Sequence, residues 1–198
     1  IQKLKNHVIV CGFGRNGRQA CEQLRSGDEK FVAIEAKPEL VAKMREEDNI
    51  LFIEGDATKD EVLIQAGIDS AKALITALPS DAANVFVVLT ARDRNPKLKI
   101  ISRASEDGSE HKLKRAGADN VIMPDKLGGV HMASLVLFPD VKEFIDVMST
   151  YQNNGIKITE LVPTKSQTLQ QLNSWQICGA TILGIKQQNG EYIVNPLC

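Results

Sequence analysis

Three glycines near the start of the chain constrain its fold more than any other feature. They stand at positions 12, 14 and 17, directly after the apolar run 8–11 and at the head of a helical pattern over 15–26. This G-x-G-x-x-G spacing predicts a strand that turns sharply into a helix. Gly12 permits the tight turn, Gly14 keeps side-chain atoms away from the start of the helix, and Gly17 lets the helix lie close to the strand.

Short β-branched runs alternate with helical patterns over the first two thirds of the chain. The runs predict six strands, at 7–11, 31–35, 50–53, 72–76, 99–103 and 121–123. The segments between them predict helices over 15–26, 38–47, 59–66, 81–92 and 106–116. Strands separated by single helices pair in parallel through right-handed crossovers. The expected fold is α/β, with a Rossmann-like doubly wound parallel sheet.

The pattern changes after residue 124. Two amphipathic stretches, 125–137 and 141–149, flank Pro139 and are predicted to be crossover helices. The apolar cluster 135–138, at the end of the first stretch, has no obvious partner inside a six-stranded sheet. We therefore expect this segment to contact something outside the sheet.

A small C-terminal lobe is predicted beyond the crossover helices. Strands are expected at 156–162, 181–186 and 191–194, with a Gln-Asn-Gly hairpin turn between the last two. A lobe of this size has little core of its own, and we expect a truncated α+β lobe. The predicted division is a nucleotide-binding domain at 1–138, a crossover helix and linker at 139–154, and the partial lobe at 155–198.

The composition is typical of a soluble globular protein, with 43% hydrophobic and 25% charged residues. The net charge is −1 and the basic residues are spread along the chain, so we expect no nucleic-acid partner. No apolar run approaches the roughly 20 residues that a membrane-spanning helix needs. The chain begins at Ile1, and we expect it to be a piece of a longer protein. Cys11 and Cys21 are predicted to be small buried hydrophobes in a reducing compartment.

The glycine loop is predicted to bind phosphate. The free amides at the start of the helix and its dipole both favour an anion there. The residues of this loop are Gly12, Phe13, Gly14, Arg15, Asn16 and Gly17. The alternative is a glycine-rich turn that binds no ligand.

Carboxylates at the ends of the next two strands indicate what else the ligand contains besides phosphate. Glu35 ends the second strand, where it can accept hydrogen bonds from ribose hydroxyls and repel a 2′-phosphate. It is followed by Ala36 and Lys37, and Lys37 weakens that exclusion. Asp56 can meet an adenine amino group; the alternative is that Thr58 or Asp56 is the N-cap of the short helix that follows. These residues favour NAD(H) or an adenine nucleotide such as AMP, ADP or ATP.

Further candidates follow the third, fourth and fifth strands. Ala57 lies beside Asp56, and Ala77 and Leu78 could line the base. Arg15 in the glycine loop and Arg103 at the end of the fifth strand could neutralise phosphate. The alternative for each arginine is an ordinary surface position.

A catalytic residue is missing from these positions. None of the three histidines, His7, His111 and His131, falls at the carboxyl end of a predicted strand. Hydride-transfer enzymes need an acid or base beside the nicotinamide and a substrate pocket. We therefore expect a protein that binds a nucleotide without enzymatic turnover, with a small NAD-dependent oxidoreductase as an alternative.

Several motifs together resemble a known family. They are HVIVCGFGRNG at 7–17, Glu35, GDAT at 55–58, AGIDSAKALIT at 66–76 and KRAGADNVIMPDKLGG at 114–129. In this order they resemble the RCK domain, also called KTN or TrkA-N, over about residues 5–140. Residues 151–198 resemble the front part of the companion TrkA-C lobe.

The resemblance implies a regulatory role in potassium transport. Such domains sit at the cytoplasmic face of the membrane, pair through crossover helices and assemble into rings, typically octameric, that gate a pore. The lead-in 3–12 is more similar to a domain fused behind a channel pore than to the subunit of a Trk or Ktr uptake system, which stays an alternative. Residues of the calcium site of one family member correspond to Ala77, Arg103 and Ser105, none of them a carboxylate, so we expect no metal there.

Overall fold

The structure is a computed structural model that describes residues 4–46, 50–137, 160–163, 165, 168–172, 174–187 and 189–194. The chain divides into two compact units, Ile1–Glu143 and Phe144–Cys198. The predicted domain limits near 138 and 154 fall outside the described residues and stay a prediction.

The first unit is a six-stranded parallel sheet flanked by helices. Its strands run in the order β3-β2-β1-β4-β5-β6. This confirms the predicted Rossmann-like doubly wound fold. The strands are β1 (Val8–Cys11), β2 (Phe31–Glu35), β3 (Phe52–Glu54), β4 (Ala73–Thr76), β5 (Lys99–Arg103) and β6 (Asn120–Ile122). The helices are α1 (Arg15–Ser26), α2 (Pro38–Glu46), α3 (Asp60–Gln65), a 3₁₀ turn (Ile68–Ser70), α4 (Asp81–Arg94), α5 (Asp107–Ala116) and α6 (Pro124–Leu137).

Both faces of the sheet are buried. All four residues of β1 are buried, and alternate residues point to opposite faces of a strand. Ile9 and Cys11 pack in one hydrophobic cluster, whereas Val8 and Val10 pack in another. A central parallel strand covered on both faces has no polar side, which is why this run of the sequence does not alternate.

The predicted element boundaries of the first unit lie within two residues of the observed ones, and two of the differences have an identifiable reason. The third strand begins at Phe52, because its pairing with β2 starts at Ala33 opposite that residue; Ile50 is buried but unpaired. Helix α4 continues to Arg94. Its last turn is stabilised by the ion pair of Arg94 with Asp69, at 2.7 Å between Nη2 and Oδ2. A contact between residues this far apart in the chain cannot be predicted from the local sequence pattern.

Helix α1 lies unusually close to β1. A Cβ atom added at Gly17 would lie 1.8 Å from the carbonyl oxygen of Gly12. Gly12 itself has a φ of +92°, a conformation that side chains disfavour. Gly17 therefore sets the distance between helix and strand.

Helix α6 exposes an apolar surface. None of its 14 residues is buried. Six of its large hydrophobic side chains are exposed, namely Leu127, Val130, Met132, Leu135, Val136 and Leu137. Phe138 and the predicted helix over 141–149 lie outside the described residues.

In the part that the structure describes, the second unit contains a two-stranded hairpin and two short helices. Strands β7 (Gly184–Lys186) and β8 (Tyr192–Val194) pair antiparallel, and the helices are α7 (Leu169–Leu172) and α8 (Ser174–Cys178). The described part of the predicted strand 156–162, residues 160–162, is in no strand. The prediction of a strand over 181–186 is too long by three residues, because pairing with β8 begins only at Gly184.

We expect Gly17→Ala to lower the free energy of unfolding by about 2–4 kcal/mol, because helix α1 must move away from β1 to admit the new Cβ. Gly14→Ala is the matched control. Among the described residues, its Cβ would meet no atom within 4 Å. The control should cost at most about 1 kcal/mol, as a weaker N-cap. Urea unfolding followed by circular dichroism measures both, and equal losses would contradict this account.

Burial raises the pKa of the Cys11 thiol to about 12. The thiolate is the reactive form, so we expect Cys11 to resist alkylation by iodoacetamide in the folded protein at neutral pH. Site-resolved mass spectrometry with and without urea is the measurement. Equal labelling of Cys11 in the folded and the unfolded chain would show that the thiol is accessible.

Candidate functional site

The candidate site lies at the carboxyl edge of the sheet. The strand order reverses between β1 and β4, so the connections from these two strands leave toward opposite faces. A crevice forms at such a switch point in open parallel sheets, and ligands bind there. The glycine loop between β1 and α1 stands at this point.

The glycine loop leaves room in front of helix α1. Among the described residues, no atom lies within 4 Å of a Cβ built at Gly14. Gly14 is the N-cap of α1 and supplies no side-chain hydrogen bond, and no acidic residue occupies the first turn. The amides of that turn are thus available to an anion, and the helix dipole adds to the attraction. Arg15 and Asn16 are exposed at the same end.

Glu35 connects the end of β2 to the glycine loop. It is 7% exposed, and its Oε2 accepts a hydrogen bond from the Phe13 amide at 2.7 Å. Its Oε1 accepts from the amides of Ala36 and Lys37 at 2.8 and 2.9 Å. A carboxylate has about four acceptor positions and three of them are used, so one position, on Oε2, remains for a ribose hydroxyl.

Three of the predicted ligand residues have buried side chains. Phe13, Ala57 and Ala77 are 3%, 3% and 8% exposed. The Phe13 ring packs with Val10 and Cys21 in a hydrophobic cluster. Only the main chain of these three residues can face a ligand in this arrangement.

Asp56 makes a local turn with Thr58. Its Oδ1 accepts from the Thr58 amide at 3.0 Å and from the Thr58 hydroxyl at 2.8 Å. These two hydrogen bonds, the amide first, hold the pKa of Asp56 below its ordinary value. Helix α3 begins at Asp60 with Lys59 as its N-cap and no side-chain cap, so Asp56 forms a turn ahead of the helix rather than the predicted helix cap. Its exposed position still permits contact with a base.

Leu78 and Arg103 border the site on the β4 and β5 side. Leu78 Cδ2 would lie 3.2 Å from a Cβ at Gly12, so the loop after β4 packs against the glycine loop. Arg103 Nη2 lies 3.9 Å from Asp125 Oδ2 in the first turn of α6. Its Nε is buried and has no hydrogen-bond partner among the described residues.

Asn84 is a central residue that the sequence did not single out. It is fully buried on α4, and its Oδ1 accepts from the Thr76 hydroxyl at 2.6 Å and from the Leu78 amide at 3.1 Å. Its Nδ2 donates to the carbonyls of Leu78 and Arg103 at 3.0 and 3.1 Å. An amide on an otherwise apolar helix face one turn after the Ser80 cap was the available signal.

The histidines lie away from this edge. His7 is fully buried, and its Nε2 donates to the carbonyl of Ala66 at 2.7 Å, beside the amino end of β1. His111 and His131 are exposed on α5 and α6. In the part of the chain that the structure describes, no group of three or more His, Cys, Asp or Glu residues could hold a metal ion. No helix among those residues is both long and apolar enough to cross a bilayer.

A groove of about 570 Å³ lies between α4 and α5, next to the loops that follow β4 and β5. It is lined by residues such as Val85, Phe86 and Lys112, and by none of the predicted ligand residues. We therefore do not assign the ligand to it.

Curated proteins similar to this chain include two from Methanocaldococcus jannaschii. Probable potassium channel protein 2 is 38% identical over 99% of this chain and 60% of its own length. Potassium channel protein 1 is 36% identical over 94% of this chain and 57% of its own length. The chain thus spans somewhat over half of these two relatives.

Solved structures share the fold. The TrkA-N domain of the inner membrane protein ybaL from Escherichia coli is 30% identical, with a TM-score of 0.64 over 68% of this chain and 98% of that one. The GsuK channel bound to NAD has a TM-score of 0.57 at 24% identity, covering 62% of this chain and 22% of that one. GsuK bound to ADP has a TM-score of 0.62 at 20% identity, covering 88% of this chain and 52% of that one.

The TrkA-N domain family itself matches residues 8–124, from the first residue of β1 to the first residue of α6. The match takes in the glycine loop, Glu35, Asn84 and Arg103, and it covers more than half of the chain. The chain therefore belongs to the TrkA-N, or RCK, domain family.

Proposed function

We propose that this chain is the ligand-sensing regulatory domain of a potassium channel and that it binds NAD(H) or an adenine nucleotide at the glycine loop. The observation that carries the proposal is the open space at Gly14 in front of an uncapped helix, beside the buried carboxylate of Glu35. An anion and a sugar hydroxyl are the two groups that such a pair of features binds, and a phosphorylated adenosine presents both.

The ligand residues divide by the part of the nucleotide they meet. The phosphates lie against the amides of Gly14 to Gly17, with Arg15 and Arg103 supplying positive charge. A ribose hydroxyl binds the remaining acceptor position of Glu35, and the base lies toward Asp56 and Leu78. GsuK, which shares the fold, has been solved with NAD and with ADP, which supports the same ligand class here.

The channel assignment is supported by the relatives named as potassium channel proteins, which align with 99% and 94% of this chain. A regulatory subunit of a Trk or Ktr uptake system would use the same nucleotide site. We propose the cytoplasmic face of the membrane as its location and the pore-forming part of the channel as its partner. Ligand binding would change the conductance only through its different affinity for two arrangements of the domains.

The proposed role involves no turnover. The buried His7 is held by Ala66, and the other two histidines lie on the exposed surfaces of helices rather than beside the glycine loop. Under this proposal the nucleotide is bound and released unchanged. Consumption of NADH with any added small carbonyl substrate would favour the oxidoreductase alternative.

We expect Gly14→Ala to weaken nucleotide binding by about tenfold or more, because the new Cβ occupies the space in front of the helix amides. Isothermal titration calorimetry with NADH, NAD, AMP, ADP and ATP in parallel is the measurement. Gly108→Ala on α5 is the matched control, since its Cβ would also meet no described atom within 4 Å.

The control variant should bind like the unchanged chain. If Gly14→Ala binds every nucleotide with unchanged affinity, the phosphates do not lie at the glycine loop. If the unchanged chain binds none of the five compounds, the nucleotide-sensing proposal fails.

We also propose that two copies of the chain pair through helix α6, as a step toward a larger ring. The exposed apolar side chains of this helix support the pairing, with Val136 82% and Leu137 67% exposed. Scattered single hydrophobic residues are normal on a surface, but six exposed apolar side chains on one short helix mark an interaction site.

We expect Val136→Asp to weaken the pairing by at least about tenfold, because a buried unpaired carboxylate is costly at an apolar interface. Sedimentation equilibrium measures the dissociation constant. Ile64→Asp, at a residue 45% exposed on α3, is the control and should leave it unchanged. A strictly monomeric unchanged chain, with or without nucleotide, would contradict the pairing.

A further inference from the structure

We propose that Asn84 is a positioning residue of the nucleotide site that acts through Arg103. The inference rests on the proposed nucleotide binding and adds a residue that touches no ligand itself. Asn84 holds the carbonyl of Arg103 and the loop after β4 in one rigid unit. The guanidinium of Arg103 is thereby placed where a phosphate can use it.

The hydrogen bonds of Asn84 connect three parts of the sheet edge. Its side chain bonds to Thr76 in β4, to both the amide and the carbonyl of Leu78, and to the carbonyl of Arg103 at the end of β5. Two of these bonds use both donors of the side-chain amide and the other two are accepted by its oxygen. The side chain is completely buried. A buried, fully satisfied polar group specifies one arrangement of the backbone around it.

The backbone around Arg103 is held on its other side as well. The Ala104 amide donates to the carbonyl of Ile122 in β6 at 2.8 Å. Asp81, in the first turn of α4, accepts from the amides of Ser105 and Glu106 at 2.9 and 3.1 Å. Helix α4 therefore holds the end of β5 at two points, Asn84 before the turn and Asp81 after it.

The Asp81 contact persists over the working range of pH. Desolvation raises the pKa of the Asp81 carboxyl, but hydrogen bonds from the Ser109 hydroxyl and the amides of Glu106 and Ser105 outweigh it. The pKa stays below its ordinary value, so the carboxylate is ionised at neutral pH. The hold on the β5 end is lost only as pH falls through that lowered value.

The Arg103 guanidinium is left with donors to spare. One nitrogen makes a long contact of 3.9 Å with an Asp125 carboxylate that is 84% exposed, and Nε is buried without a partner among the described residues. Buried donors of this kind are rare and call for an explanation. An anion in front of the β5 end would satisfy them.

The same unit reaches the glycine loop. Asn84 is hydrogen-bonded to both the amide and the carbonyl of Leu78. The Leu78 side chain lies 3.2 Å from the position that a Cβ at Gly12 would take. The distance from the helix amides to the Arg103 guanidinium is consequently set by Asn84. A displacement of about 1 Å at such a site has a large effect on function.

The test is a double-mutant cycle for nucleotide binding. ATP, ADP and NADH are titrated calorimetrically into the unchanged chain, Asn84→Ala, Arg103→Ala and the double variant. We expect each single change to weaken binding about tenfold. In the Arg103→Ala background, Asn84→Ala should then have less than about a twofold further effect, because its route to the phosphate is already gone.

Asn95→Ala is the matched control. Asn95 lies just after α4 at the opposite edge of the sheet, and its Nδ2 also donates to two carbonyls, those of Ile68 and Ala71. Its removal also leaves two buried carbonyls without that donor but does not touch the site. It should therefore lower the thermal stability while leaving the nucleotide affinity unchanged.

Thr76→Val keeps the test decisive if Asn84→Ala does not fold. It removes only the hydroxyl that donates to Asn84 Oδ1 and leaves the other three bonds in place. We expect a smaller loss of affinity, about threefold, that likewise disappears in the Arg103→Ala background.

The outcomes separate the two proposals. Equal losses from Asn84→Ala, or from Thr76→Val, in both backgrounds would mean that Asn84 only stabilises the fold, and would overturn the inference. Unchanged binding by Arg103→Ala would also overturn it, while the effect of Gly14→Ala would still support nucleotide binding. A chain that binds none of the three nucleotides would refute the proposed function and the inference together.

Discussion

The contact between helix α1 and strand β1 is the constraint on which the rest of the structure depends. A Cβ at Gly17 would lie 1.8 Å from the carbonyl oxygen of Gly12, so only glycine permits this approach. The close contact places the start of α1 at the centre of the sheet, where the strand order reverses. The free amides of the helix thus face the crevice, and Gly14 keeps it open.

Polar side chains hold the loops around this crevice in place. Glu35 bonds to the glycine loop, Asn84 bonds to the ends of β4 and β5, and Asp81 bonds to the loop that follows β5. In each case a side chain satisfies main-chain groups that the parallel sheet leaves without partners where its strands end. The site is therefore largely preformed, and a ligand would order few additional groups when it binds.

Contacts within one turn or strand end could be predicted from the sequence, whereas hydrogen bonds between separate strands could not. The glycine loop follows from spacing alone, because it acts on the turn that carries it. Glu35 was predicted from its place at the end of a strand, but its hydrogen bond from Phe13 in the glycine loop was not. The role of Asn84 could not be predicted, because its hydrogen-bond partners at Leu78 and Arg103 come together only when β4 and β5 pair. Asp56 was predicted either to meet a base or to cap a helix, and its hydrogen bond from the Thr58 amide forms a turn ahead of α3 instead of the cap.

By itself, the sequence determined the Rossmann-like fold, the place of the glycine loop and the apolar character of α6. These follow from short-range periodicity, glycine spacing and hydrophobicity, which are properties of contiguous residues. Only the tertiary structure decided that the Phe13 side chain is buried, that Arg103 Nε has no hydrogen-bond partner among the described residues, and that Asn84 joins two strand ends. The physical reason is that burial and hydrogen bonding between distant residues depend on which strands become neighbours.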